Sequence, residues 1–318
     1  MPDNTHGLTP LAPLVAERPP VAAFSVWPTG HHNETTQLRT RGYVPATKTD
    51  PERIPPAIAA YAISAYSRPG DTVLDPDCGA GTVLVEALRA GRHTVGLTRG
   101  RWWSIARANL TATKRAGAWP DASVLDAHPR MLTPARAAGL TGRIGLVLTT
   151  LRHSCPDSDP IEPHLGETDP AVARLAKTLT TCGPLLRPGA HLIIIIRRRR
   201  HQGVLQDLPS AVLAAGHTAG LIPLQRCVAV IATPRGTRLA PRASARRQAA
   251  AHASAASPPI SLNAHHDVLV FGTPDLTEQR TTGRNTATLA KPTPIRGPAQ
   301  ALGSDTSLKG GHDSSQAA

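Results

Sequence analysis

Thr72-Val73-Leu74-Asp75-Pro76-Asp77-Cys78-Gly79-Ala80-Gly81-Thr82 is the stretch on which the reading of this chain turns. Its first residues are apolar and β-prone, as in a buried parallel strand. The sequence then breaks into a Gly-x-Gly turn. Val83 to Ala90 follows with helical apolar spacing, and Gly91 ends it. A strand, a glycine turn and a helix form the nucleotide-binding crevice of an open α/β sheet. Gly79 and Gly81 lack Cβ atoms, so the backbone can turn sharply there and a ligand can lie against it. A dinucleotide fingerprint asks for a further small residue three positions after the second glycine. Leu84 stands there instead.

The form Asp-Pro-x-Cys-Gly-x-Gly-Thr resembles the S-adenosylmethionine loop of class I methyltransferases. Within that class it is similar to the DNA methylase family, which methylates exocyclic amines of adenine or cytosine, and to related tRNA guanine methyltransferases. The resemblance implies an α/β fold of Rossmann-like class I methyltransferase type, with a doubly wound, mostly parallel seven-stranded sheet. It also implies S-adenosylmethionine as cofactor, held by Asp75, Cys78, Gly79, Ala80, Gly81 and Thr82. On this reading Gly81→Val blocks the cofactor's methionine and leaves the fold intact. The plainer alternative is a tight strand-to-helix turn with no ligand.

The resemblance extends to both sides of the loop. Upstream, Asp50-Pro51-Glu52-Arg53-Ile54-Pro55-Pro56 resembles the family motif that lines the methionine end of the cofactor. Asp50 at an N-cap and Pro51 at the first helical position would also serve a plain capped helix. Downstream, the second strand is expected over His93–Leu97. The family carries at its end a carboxylate for the ribose hydroxyls, where this chain has Thr98, which can accept a hydrogen bond but adds no charge. Trp102 or Trp103 could flank the adenine, or simply begin a packed helix. Asp126 ends the third strand, Ala122–Ala127, where the family's aspartate accepts from the cofactor's adenine amine; as a plain residue it would cap the next turn.

The fourth strand, Ile144–Thr149, leads to the position of the family's catalytic tetrapeptide, Asp/Asn/Ser-Pro-Pro-aromatic. This chain has Thr150-Leu151-Arg152-His153. Thr150 keeps a polar oxygen and His153 a ring, which makes them the candidate catalytic pair. Both prolines are missing, and Arg152 would set a positive charge beside a sulfonium. The resemblance therefore implies methylation of an exocyclic amine on DNA, or on tRNA, with impaired activity. The alternative is an inactive relic that binds nucleic acid or regulates.

Further along, Pro170–Leu186 reads as an amphipathic helix, Arg187-Pro188-Gly189-Ala190 as a turn, and His191–Ile196 as a fully buried strand. Arg197, Arg198, Arg199 and Arg200 follow at the strand's carboxyl end, as phosphate contacts for nucleic acid or as a solvated charge run. Leu208–Ala219 is a helix. Leu224–Ala232 and Asp267–Phe271 should be the antiparallel pair that closes the sheet. Between them lie Arg235, Arg238, Arg242, Arg246 and Arg247, a basic loop or low-complexity filler.

The chain has 318 residues, a formal charge of +13 and 35 basic side chains, of which only Lys48, Lys114, Lys177, Lys291 and Lys309 are lysines. Arginine forks suit phosphates, while a GC-rich genome would give the same bias. With 3% aromatics, 26 glycines and 31 prolines, part of the chain is not expected to pack. Residues 1–20 read as a loose arm, 21–273 as the methyltransferase domain and 274–318 as a disordered tail. Cys78, Cys155, Cys182 and Cys227 form no Cys-x-x-Cys pair, which disfavours a zinc site and a disulfide framework. With no apolar run near a membrane span and no signal-like start, a cytoplasmic protein is expected.

Overall fold

Apolar β-branched runs alternate with helical periods along most of the chain, and such a pattern buries its apolar faces best as a sheet layered between helices. The computed structural model describes residues 24–132, 139–153, 169–201, 204–240, 242 and 261–273. The strands are β1 (Val26–Trp27), β2 (Thr72–Asp75), β3 (His93–Thr98), β4 (Ala122–Asp126), β5 (Ile144–Thr150), β6 (Leu186–Ile196), β7 (Ile222–Val230) and β8 (His265–Gly272). The main helices are α1 (Glu34–Thr40), α2 (Pro56–Tyr66), α3 (Thr82–Arg89), α4 (Arg101–Arg115), α5 (Pro170–Cys182) and α6 (Leu208–Thr218). The sheet runs β1-β7-β8-β6-β5-β2-β3-β4.

Every pair in it is parallel except those made by β8, which runs antiparallel to β6 and β7. The expected closing pair is thus present, with Val268 opposite Ile195 on one side and Cys227 on the other. Ile193, Ile194, Ile195 and Ile196 are all buried because β6 lies inside the sheet with both faces covered. One apolar layer sets α5 and α6 against one face; the other sets α2 and α3 against the opposite face.

Three expectations change. The sheet has eight strands rather than seven: Val26 and Trp27 pair in parallel with Val228 and Ala229 on the edge. Trp27 is fully buried and stacks on Tyr61 at 4.8 Å between ring centres, so one aromatic anchors a two-residue strand. Arg187–Ala190 is not a turn outside the strand; β6 already begins at Leu186. Asp50 does not begin a helix: α2 starts at Pro56 with Pro55 at its N-cap, and Asp50, completely buried, closes the 3-10 turn Pro45–Thr49.

The expected arm 1–20, the tail 274–318, and Arg246 and Arg247 lie outside the described residues. Arg235 and Arg238 face each other in a small hairpin, Thr233–Arg235 with Arg238–Ala240. Among the described residues no helix is long and apolar enough to cross a membrane, and no three ligating side chains group as they would around a metal ion.

Candidate cofactor cleft

The cleft is built where β2 ends and α3 begins. Asp75 closes β2, Gly79 and Gly81 take left-handed backbone at φ +52° and +80°, and α3 starts at Thr82. The two glycines serve different neighbours. A Cβ on Gly81 would lie 3.1 Å from Ala106 Cβ, so this glycine lets α4 pack against the turn. The expectation that a side chain at Gly81 enters the methionine's space is therefore corrected: it would enter the α4 contact. A Cβ on Gly79 would lie 2.1 Å from Asp50 Oδ2 and 2.6 Å from Arg152 Nη1. Gly79 is the position where something rests on the loop's backbone, and here it is an ion pair of the protein itself.

Asp50 comes from the segment 50–56 that resembles the methionine-side motif. Its Oδ2 accepts from the Ala80 amide at 3.0 Å, just ahead of the positive end of α3, and its Oδ1 accepts from Glu52 N at 3.1 Å. Arg152 donates to both oxygens, at 2.8 Å to Oδ1 and 3.3 Å to Oδ2, in a bidentate fork. Its Nε lies 3.8 Å from Asp77 Oδ1. Burial opposes charge on Arg152, but Asp50 and Asp77 outweigh it and raise the guanidinium above its ordinary value. Burial pushes the Asp75 carboxyl up to about 7, and lost solvation at the mouth pushes Asp77 up to about 6.

The other loop residues fall into place around this pair. Cys78 turns its sulfur into the apolar layer of Leu84, Leu88 and Ala106, and its amide donates to Leu97 O at 2.8 Å. The Ala80 carbonyl accepts from Asn109 Nδ2 at 2.9 Å, and Asn109 also donates to Thr47 Oγ1 at 2.8 Å. Tyr43 reaches the Thr82 carbonyl at 3.3 Å and Glu86 Oε1 at 2.6 Å. Glu86 is buried and pairs with Arg41 and Arg89. Asn109, Tyr43 and Glu86 had no sequence signal; each is a long-range polar tie whose partner is far away in the chain.

On the adenosine side, Thr98 and Asp126 sit opposite each other at the adjoining ends of β3 and β4. Thr98 is buried and Asp126 exposed. Trp102 is buried, with Arg101 over its ring at 4.3 Å, and Trp103 Nε1 donates to Val124 O at 3.2 Å.

At the end of β5, the Thr150 hydroxyl donates to Ile195 O at 2.9 Å inside the sheet, and Leu151 is buried. The His153 amide donates to Glu52 Oε1 at 2.7 Å, and its Nε2 lies 3.4 Å from Asp169 Oδ2. The imidazole is the main cause that holds the Asp169 carboxyl below its usual range.

The four arginines after β6 diverge. Arg197 donates to the Arg53 carbonyl, Arg198 donates to Ser261 Oγ at 2.9 Å, Arg199 accepts at its carbonyl from Gln206 N at 3.1 Å, and Arg200 begins a short hairpin.

Does this cleft suit S-adenosylmethionine? The adenosine side offers an exposed carboxylate and an open strand end. The methionine side, between Asp50 and Gly79, is filled by Arg152 in this conformation.

A sequence profile described as DNA methylase matches residues 18–101. The match takes in the 50–56 segment and the glycine loop and stops before Thr150. Among solved structures, the chain is similar to TrmN from Thermus thermophilus, with 14% identity, TM-score 0.45, 74% of this chain covered and 53% of that one. This chain thus spans about half the length of that protein. It is also similar to a putative RNA methyltransferase from Pyrococcus horikoshii, with 11% identity, TM-score 0.43 and coverages of 76% and 98%. A geranyl diphosphate methyltransferase in complex with its substrate and sinefungin gives 16% identity, TM-score 0.42 and coverages of 68% and 77%. The cofactor-side segment, residues 18–101, thus matches the DNA methylase family.

Proposed function

We propose that the protein is an S-adenosylmethionine-dependent methyltransferase for an exocyclic amine of DNA, or of tRNA, with its transfer step impaired. The observation that carries this reading is the seating of Asp50 on the Ala80 amide at 3.0 Å, which brings the two family-like segments together as the walls of one crevice. When bound, the cofactor supplies an electrophilic methyl group to the amine. Asp75 and the glycine turn would hold its methionine end, and Thr98 and Asp126 its adenosine end.

The impairment follows from the chemistry of the target. An exocyclic amine is a weak nucleophile whose lone pair is delocalised into the ring, so it must be aimed. Loss of such positioning costs on the order of 100-fold or more. Thr150 already donates its hydroxyl proton to Ile195, and no proline stiffens the turn after it. A second reading, a non-catalytic module that binds nucleic acid, is favoured by Arg152 lying on Gly79.

The test is labelled-methyl incorporation into genomic DNA and bulk tRNA, by the native chain and by a chain with Thr150-Leu151-Arg152-His153 replaced by Ser-Pro-Pro-Tyr. We expect slow incorporation by the native chain and faster incorporation by the replacement. Ordinary enzymatic rates from the native chain would contradict the impairment. No incorporation by either would favour the non-catalytic module.

A further inference from the structure

We propose that Arg152 is a resident occupant of the cofactor cleft: its guanidinium holds the place of the cofactor's cationic methionine end, and the cofactor enters as Leu151–His153 swings away. The proposal rests on the reading above that this crevice takes S-adenosylmethionine.

The geometry comes first. The space over Gly79, which only a residue without a Cβ can leave open, contains Asp50 Oδ2 and both Arg152 Nη atoms within 3 Å of where a Cβ would be. Arg152 is not there by accident of a long surface side chain. It is buried, its fork is bidentate on a fully buried carboxylate, and its Nε faces Asp77.

The chemistry makes the exchange possible. An ammonium and a sulfonium are cations, as a guanidinium is, and the same carboxylates can receive either. Without a cation, Asp50 would be a buried, unpaired charge, which is strongly unfavourable. Molecules in which Arg152 has left the site bare are therefore rare, and an arriving cation takes its place.

The mechanics also allow it. The β5–β6 ladder ends with Thr150 opposite Ile195. Beyond it, the segment is tied by Leu151 N to Ile195 O at 3.1 Å, His153 N to Glu52 Oε1 at 2.7 Å, and Arg174 Nη2 to the Arg152 and His153 carbonyls at 3.3 and 3.4 Å. A swing hinged after Thr150 breaks these bonds and the His153–Asp169 contact and lifts Leu151 from the core, which keeps the open form rare, but it leaves the β5–β6 ladder whole. The apparent affinity for cofactor is then reduced by the small fraction of molecules in which the cleft is open, and a change that frees the cleft recovers it.

Calorimetric titration of the full chain with S-adenosylmethionine tests this directly. Arg152→Gln, too short and uncharged to plug the site, should bind at least tenfold more tightly than the native chain, and Arg152→Lys should stay close to native. Equal or weaker binding by a folded Arg152→Gln overturns the proposal and leaves the cofactor reading standing. Absence of binding by all three overturns both. Because Arg152→Gln uncovers Asp50 and could unfold, the native chain supplies a second readout. Saturating S-adenosylmethionine should speed amide hydrogen exchange at Leu151 and His153, whose bonds the swing breaks. Unchanged or slower exchange there overturns the swing.

Discussion

Asp75 carries the clearest residue-level consequence of the cleft. Its carboxyl is raised from 3.8 to about 7: burial is the largest cause and the Asp77 charge adds to it, while the Asp77 amide, Arg152 and Thr149 pull the other way. The sign follows from linkage. Between about pH 4 and 7 the folded chain keeps a proton that the unfolded chain has released, so this group's contribution to stability is full below about pH 4 and is lost as pH rises through 7. Asp75→Asn keeps an acceptor for the Asp77 amide, at 3.1 Å in the native chain, and removes the charge. We expect it to raise the melting temperature at pH 8 and to change it little at pH 4; a larger gain at pH 4 would contradict the burial argument. Gly81→Val belongs to the same scale. Valine at φ +80°, pressed on Ala106, should cost about 2–4 kcal/mol in chemical denaturation. A fully stable variant that had lost only cofactor binding would restore the expectation drawn from sequence.

Among the elements, β1 shows how far one side chain can hold an edge. Two residues of ladder are a weak strand, yet Trp27 is fully buried between Tyr61 and Tyr66. Trp27→Ala should cost about 3–5 kcal/mol, measured by denaturant unfolding; a loss under 1 kcal/mol would mean the edge is dispensable. Strands β2, β3, β5 and the isoleucine run of β6 were legible because buried parallel strands are mostly apolar runs and their helices keep a clear period. β1 was not, since a two-residue strand has no period to read. The role of Asp50 was hidden too: next to Pro51 it reads as a cap, and only the return of β5 brings Arg152 to it across 102 residues. The same return made Arg152 half legible. Its charge was visibly wrong for a sulfonium in sequence, but its place on Gly79 depends on tertiary geometry.

For the molecule as a whole, the +13 charge is the property that the fold explains least. The Arg197 and Arg198 side chains already donate to the Arg53 carbonyl and to Ser261, so we expect a grip on nucleic acid to draw on other arginines as well. Binding to duplex DNA should then fall steeply with salt and depend little on sequence, because each neutralised phosphate releases condensed counterions. Alanine at Arg198 and Arg199 together should lower the salt slope by about 2 at most. Salt-independent binding, or none at low salt, would leave codon bias as the better account of the charge. The central claim is that the crevice between segment 50–56 and the glycine turn is where S-adenosylmethionine sits. The direct measurement is photo-cross-linking of labelled S-adenosylmethionine to the full chain and to Arg152→Gln, followed by peptide mapping. The account predicts label in peptides that carry residues 75–82, 96–103 or 122–128, and more of it in Arg152→Gln; label elsewhere, or none in either protein, would contradict it.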